Sequence, residues 1–253
     1  MTGDVPPEAA AAAAAFPGAT GVTLLDVYDW ACPDGVRGGS AHIHLASTEG
    51  YVVLRGEGRL QTLGARGYTE VPLRPGDCLW FTPGTVHRLV NDDGQLRILV
   101  VMQNSGLPEA GDCVLTFPPE VLADPGRYAA AATLDPGALE DSARRRRDLA
   151  IEGFLALREQ VTRDGPAGLG DFLAAAVRLA AGRVPGWRRR WQSQAAAVAG
   201  LTGQHLDDIE AMRPGHLLAG SLLRIPQPAG PRGFGMCGRL TVYQTASQRP
   251  ASD

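Results

Sequence analysis

The sequence predicts a mainly β chain with an α-helical C-terminal region, and three observations carry that reading. Short runs rich in Val, Leu, Ile and aromatics recur from Gly21 to Phe117. Gly, Pro and Asp part them at roughly eight- to twelve-residue intervals, the rhythm of an antiparallel sandwich or barrel. From Asp135 to about Met212 the text turns to Ala, Leu, Arg and Glu, with Leu149, Phe154, Leu157 and Val161 near helical spacing.

Taken in order, the strand-like runs are "VTLLDVYDW", "GYVVLRG", "GRLQTLG", "GYTEVPL", "DCLWFT" and "QLRILVVMQ". "DPGALED" offers an Asp-Pro helix start and "RDGPAG" a stop. Two or three further helices are expected, broken at "GRVPGW" and "AGLTG". Strand-like text returns in "HLLAGSLLRIP" and "GRLTVYQ". The expected organisation is a flexible arm over 1–20, a β-barrel over 21–118 and a helical region over 119–215. Strands over 216–245 are expected to fold back onto the barrel, because two short strands alone make no stable sheet, with a separate small domain as the alternative. A flexible tail follows over 246–253.

Composition narrows the function. The chain has 253 residues, a formal net charge of −3 and 44% hydrophobic residues, so nothing pulls it globally toward nucleic acid or anionic membrane. It contains no lysine, so all 24 basic residues are arginine. Asp4 and Glu8 give the N-terminus the wrong charge for a signal peptide. Its alanine run falls well short of the roughly 20 apolar residues that span a bilayer. Cys32, Cys78, Cys113 and Cys237 form no CxxC pair, so reduced thiols and a cytoplasmic location are expected.

The stretch "AHIHLASTEGYVVLRGEG" carries the chemistry. In a strand, His42 and His44 point to one face; Glu49, Tyr51 and Val53 share a face of the next strand. "PGTVH" supplies His87 at the start of another. Three imidazoles and a carboxylate suit one divalent transition metal (Fe, Mn, Ni, Co, Cu or Zn) with positions open to substrate. Burying these groups unpaired would be costly. His205 and His216 read as isolated side chains. Tyr51 is a candidate proton donor or substrate contact beside Glu49, or an aromatic in the wall. Gln61, Trp80 and Gln103 are candidates to line the cavity. "RRRR" at 144–147 and "WRRRW" at 187–191 read as solvated helix faces or a subunit interface rather than a nucleic-acid grip.

These residues resemble the two motifs of the cupin superfamily. His42-x-His44, four residues, Glu49, six residues and Gly56 fit the first motif, with Val36 where its leading glycine belongs. Gly76, Gly84, His87 and Asn91 fit the second, with Thr82 at its first proline position. The resemblance implies a jelly-roll barrel, the double-stranded β-helix, with His42, His44, Glu49 and His87 as metal ligands and Glu49 and Tyr51 near the chemistry. It implies a homodimer and a small-molecule substrate. The function expected is a metal-dependent enzyme acting on a small oxygen-rich metabolite, leaning to a dioxygenase. A sugar isomerase, epimerase or lyase, or a non-catalytic metabolite-sensing cupin, are the alternatives.

Overall fold

The computed structural model describes residues 15–243. The expected tail over 246–253 and most of the expected N-terminal arm lie outside the described residues. The last part of that arm is ordered: Pro17–Ala19 form a 3-10 turn whose Ala19 is fully buried.

Eleven strands are described: β1 (Gly21–Val27), β2 (His42–His44), β3 (Glu49–Arg55), β4 (Gly58–Gly64), β5 (Gly67–Leu73), β6 (Cys78–Phe81), β7 (Val86–Asn91), β8 (Arg97–Met102), β9 (Cys113–Leu115), β10 (Gly233–Phe234) and β11 (Gly238–Tyr243). They form two antiparallel sheets, ordered β10-β11-β1-β8-β3-β6 and β5-β4-β7-β2-β9. One core fills the space between the sheets, built from residues such as Leu25, Val53, Leu60, Leu89 and Ile98. Turn chemistry sets the corners. Gly56, between β3 and β4, has φ 78°, and a Cβ there would meet Gln95 C at 2.4 Å. Asn91, which ends β7, donates to Val27 O at 3.0 Å and accepts from Leu96 N at 3.1 Å, clamping the two sheets at that end.

The helices are α1 (Pro119–Leu122), α2 (Pro125–Ala132), α3 (Leu139–Asp164), α4 (Gly170–Ala180), α5 (Val184–Trp191) and α6 (Ala197–Glu210). A second core forms where α3 and α4 cover the outer face of the five-stranded sheet, with Ile43, Val86 and Leu115 meeting Ala150, Phe154 and Phe172. Gly153 sets the closeness of that contact, since a Cβ there would lie 2.0 Å from Thr116 O. Strand β7 is therefore buried along its whole length. His87 and Leu89 face the barrel interior, while Val86 and Arg88 face outward beneath other chain segments.

Near the end of the chain, β11 pairs antiparallel with β1, from Val22↔Tyr243 to Val27↔Gly238. "HLLAGSLLRIP" departs from expectation: it forms a 3-10 turn over Gly215–Ala219 and then no regular structure. The β10–β11 hairpin takes the place beside β1, and Leu222 in this segment is 95% exposed. The expected break at "AGLTG" is also absent, because Gly200 and Gly203 lie inside α6. A glycine costs a helix only about 1 kcal/mol relative to alanine. At "GRVPGW" a 3-10 turn joins α4 to α5.

The arginine run is corrected too. Arg146 and Arg147 are buried, not solvated. Arg147 donates to Trp30 O at 3.0 Å and Ala31 O at 2.9 Å, and Arg144 lies 4.0 Å over the Trp30 ring. Together they fasten α3 to the loop after β1. In "WRRRW" the three arginines are exposed, but Trp187 is buried and donates to Ala110 O at 3.0 Å.

Candidate metal centre

Strand periodicity explains why three histidines meet. His42 and His44 alternate with Ile43, which packs under the helices, so both imidazoles turn into the barrel. His42 is directly opposite His87 in the β2–β7 ladder, with ring centroids 4.1 Å apart. Glu49 enters from β3 in the other sheet: its Oε2 is 3.3 Å from His44 Nε2 and 3.2 Å from His87 Nε2. Ligand atoms of His42, His44, Glu49 and His87 all lie within 4.8 Å of one another, and all four residues are buried.

The far side of two of the rings is hydrogen-bonded to backbone, and that of the third faces a carboxylate. His42 Nδ1 is 3.1 Å from Ser40 O, and His87 Nδ1 is 3.1 Å from Thr85 O. Such contacts place the proton on Nδ1 and leave the Nε2 lone pair facing the centre. His44 Nδ1 faces Asp112 Oδ2 at 3.7 Å, an ion-pair distance rather than a hydrogen bond. Asp112 Oδ1 also accepts from Leu45 N at 2.9 Å and Ala46 N at 2.7 Å, so it holds the chain just after His44.

Electrostatics follow from burial and these neighbours. Burial, with the other two imidazoles, pushes His42 well below its ordinary value. For His44 burial acts in the same direction, but the Asp112 and Glu49 carboxylates outweigh it and push the ring up to about 9. Burial alone would raise Glu49, yet its contacts with His44 and His87 hold it well below the usual carboxylate range.

Two buried atoms at the centre, His87 Nε2 and Glu49 Oε2, have no hydrogen-bond partner. Orphaned buried polar atoms are expensive, and here they converge with a further imidazole pair. Three nitrogens and one carboxylate oxygen form a donor set that fits a divalent transition ion. The residues can therefore hold a metal.

Residues 30–102 match the family model for the cupin domain. This barrel is a cupin domain. Among solved structures it is similar to a conserved protein with a double-stranded β-helix domain from Klebsiella pneumoniae, at 19% identity over 33% of this chain and 64% of that one, TM-score 0.27. It is also similar to an oxalate decarboxylase from Bacillus subtilis, at 20% identity over 34% of this chain and 24% of that one, TM-score 0.30. This chain thus spans less than two thirds of either protein. No curated protein matches the sequence.

The cupin barrel opens to one side as a pocket of about 270 Å³. His42, His44 and Glu49 lie at its base. Leu25, Val100, Met102, Leu240 and Val242 supply much of the wall, with Cys113 and Cys237 among them. Burial raises both thiols, so they are neutral. The C-terminal hairpin is part of this wall, through Phe234, Gly235 and Cys237.

Of the other candidates, Tyr51 adjoins Glu49 and the rest lie outside the pocket. Tyr51 shares a face with Glu49 but is buried in the barrel core, its ring 5.3 Å from Phe81. Its hydroxyl has no hydrogen-bond partner, and burial, followed by the Glu49 charge, raises it well above its ordinary value. An unsatisfied buried hydroxyl costs about 1–3 kcal/mol. Tyr51→Phe is therefore expected to leave thermal stability unchanged or slightly higher, and a marked loss in a melting curve would contradict this packing role. Trp80 is 70% exposed. Gln61 faces outward, donating to Glu70 Oε2 at 2.8 Å, and the exposed Gln103 side chain accepts from Thr48 N. None of these three lines the pocket. His205 and His216 stack on each other, centroids 4.5 Å apart, and neither belongs to the convergent group.

Sequence reasoning missed Asp112 and Arg146. Asp112 sits in "PEAGDC" with no motif around it, and only the fold brings it to His44. Arg146 did carry a signal: it falls in helical phase with the buried Ala143, Ala150 and Phe154.

Proposed function

We propose that this cupin is a metal-dependent enzyme for a small metabolite with oxygen donors at one end, of dioxygenase type. One observation carries the reading: ligand atoms of His42, His44, Glu49 and His87 lie within 4.8 Å of one another, and the first three residues line an accessible pocket. His42, His44, His87 and Glu49 would hold one divalent transition ion. Such an ion supplies Lewis acidity and, in the case of iron, redox chemistry with dioxygen.

The protein's own residues do the rest. Asp112 fixes the orientation of His44 and favours its cationic state until the site is loaded. Apolar walls exclude water from the reacting end of the substrate. The apolar share of the wall supports the dioxygenase reading over sugar isomerisation, because most hydroxyls of a sugar would face Leu25, Val100, Leu240 and Val242, which offer neither donor nor acceptor; Thr23, Glu109 and Arg146 are the polar side chains there. Four cysteines without a CxxC pair support a cytoplasmic location. No helix of the described residues is long and apolar enough to cross a membrane.

The test is oxygen uptake by iron-loaded protein on catechols, diketones and diols, set against isomer formation on sugars. Uptake on at least one of the first group, lost in His42→Ala, is the expected result. Isomer formation without oxygen uptake would overturn the dioxygenase assignment.

A further inference from the structure

Arg146 projects from α3 into the wall of the metal pocket, and only 6% of it is exposed. Its Nη2 donates to Gly235 O at 2.6 Å and its Nη1 to Ala132 O at 3.3 Å. Its Nε is buried with no partner. Among the described residues no carboxylate lies within ion-pair distance of it, whereas its neighbours Arg144 and Arg147 pair with Glu140 and Asp148. Tyr28 and Tyr128 beside it bring no negative charge, each being pushed up to about 12 by burial. Tyr28 also donates to Gly235 O, at 3.0 Å, so this carbonyl anchors both side chains.

A buried guanidinium without a counter-ion is costly, and its planar fork matches a carboxylate. Two of the five N–H groups of an arginine are used here, leaving Nε–H and one proton on each terminal nitrogen. The remainder of the wall is largely apolar, from Leu25, Val100, Met102, Leu240 and Val242. Glu109, also in the wall, accepts from Gly106 N at 2.8 Å.

We propose that Arg146 receives the carboxylate of a substrate whose remaining body is apolar. The assignment rests on this pocket being the active site, as proposed above. The guanidinium pairs with the carboxylate, Leu25 and Val242 flank the apolar body, and the other end of the molecule reaches the base of the pocket.

Benzoate and its neutral isostere benzamide serve as probes, with binding measured by calorimetry. Protein with its metal and protein stripped by chelator are both titrated, because a metal alone also prefers an anion. In both states the wild-type chain is expected to bind benzoate at least about tenfold more tightly than benzamide. Arg146→Gln removes the preference in the stripped protein and Arg146→Lys restores part of it, while metal content stays at the wild-type level in both. Equal affinity for the two probes in stripped wild-type protein, including binding of neither, overturns the proposal even where the variants fail to fold. So does a wild-type preference in Arg146→Gln. A protein that takes up no metal but keeps the Arg146-dependent preference refutes the enzyme reading and upholds this one. Metal uptake without the preference does the reverse.

Discussion

Asp34→Ala is expected to destabilise the protein by about 3–5 kcal/mol, the range for breaking a buried ion pair. Arg88 is completely buried on the outer face of β7, where Asp34 Oδ2 and Oδ1 accept from its terminal nitrogens at 2.6 and 3.1 Å. Gln61 Oε1 accepts at 3.5 Å, and among the described residues Arg88 Nε has no hydrogen-bond partner. Without Asp34 a full positive charge would stay buried beside that weak contact. Arg88→Met is expected to cost less, since it leaves a partly exposed carboxylate that water can reach. The double variant should recover much of the loss of Asp34→Ala; denaturant melts of the three decide the matter. Additive losses would show that the pair is not the unit of stability.

The same pair gives a pH signature. Burial would raise the Asp34 carboxyl, but hydrogen bonds and charge from Arg88 outweigh it and hold it below its ordinary value. A lowered native value means the stabilisation is fully present above the unfolded value of about 3.9. It is lost as pH falls through the native value. Wild-type stability should therefore fall on acidification below about pH 4, more steeply than in Asp34→Ala.

Asp112→Asn is expected to weaken metal affinity by about 10- to 100-fold, the usual cost of losing a partner behind a ligating histidine. The asparagine can keep one oxygen for Leu45 N and Ala46 N, so the fold after β2 stays in place. What is lost is the negative charge facing His44 Nδ1. Competition titration with a metal-sensitive dye measures the effect. An unchanged affinity would reduce Asp112 to a loop anchor.

How much of this was legible beforehand depended on the range of the interactions. His42, His44 and Glu49 were readable because the period of a strand places alternate residues on one face, and His87 because a Pro-Gly turn opens β7. The two-layer β architecture was readable from the same alternation and its turns. Strand β7 shows where that signal fades: helix α3 covers its outer face, so Val86 and Arg88 are as buried as His87 and the polar alternation disappears. The facing of Gln61 depended on this too. It lies opposite Arg88 in the β4–β7 ladder and so points away from the cavity. The arginine run misled because charge alone suggests a solvated face. Phase along α3 decides instead, placing Arg146 and Arg147 with Ala143 and Ala150 on the buried side. Asp112 had no local signature, since its partners Leu45 and Ala46 are reached only through the pairing of β2 with β9.

The central claim is that four convergent side chains bind a metal, and metal content tests it most directly. Elemental analysis of protein purified without chelator, repeated after loading with Fe(II), Mn(II) and Zn(II), is compared between wild type and a folded His87→Ala variant. The account predicts about one divalent transition ion per wild-type chain and far less in the variant. A wild-type chain that takes up no stoichiometric ion, or a variant that retains the wild-type amount, would contradict it.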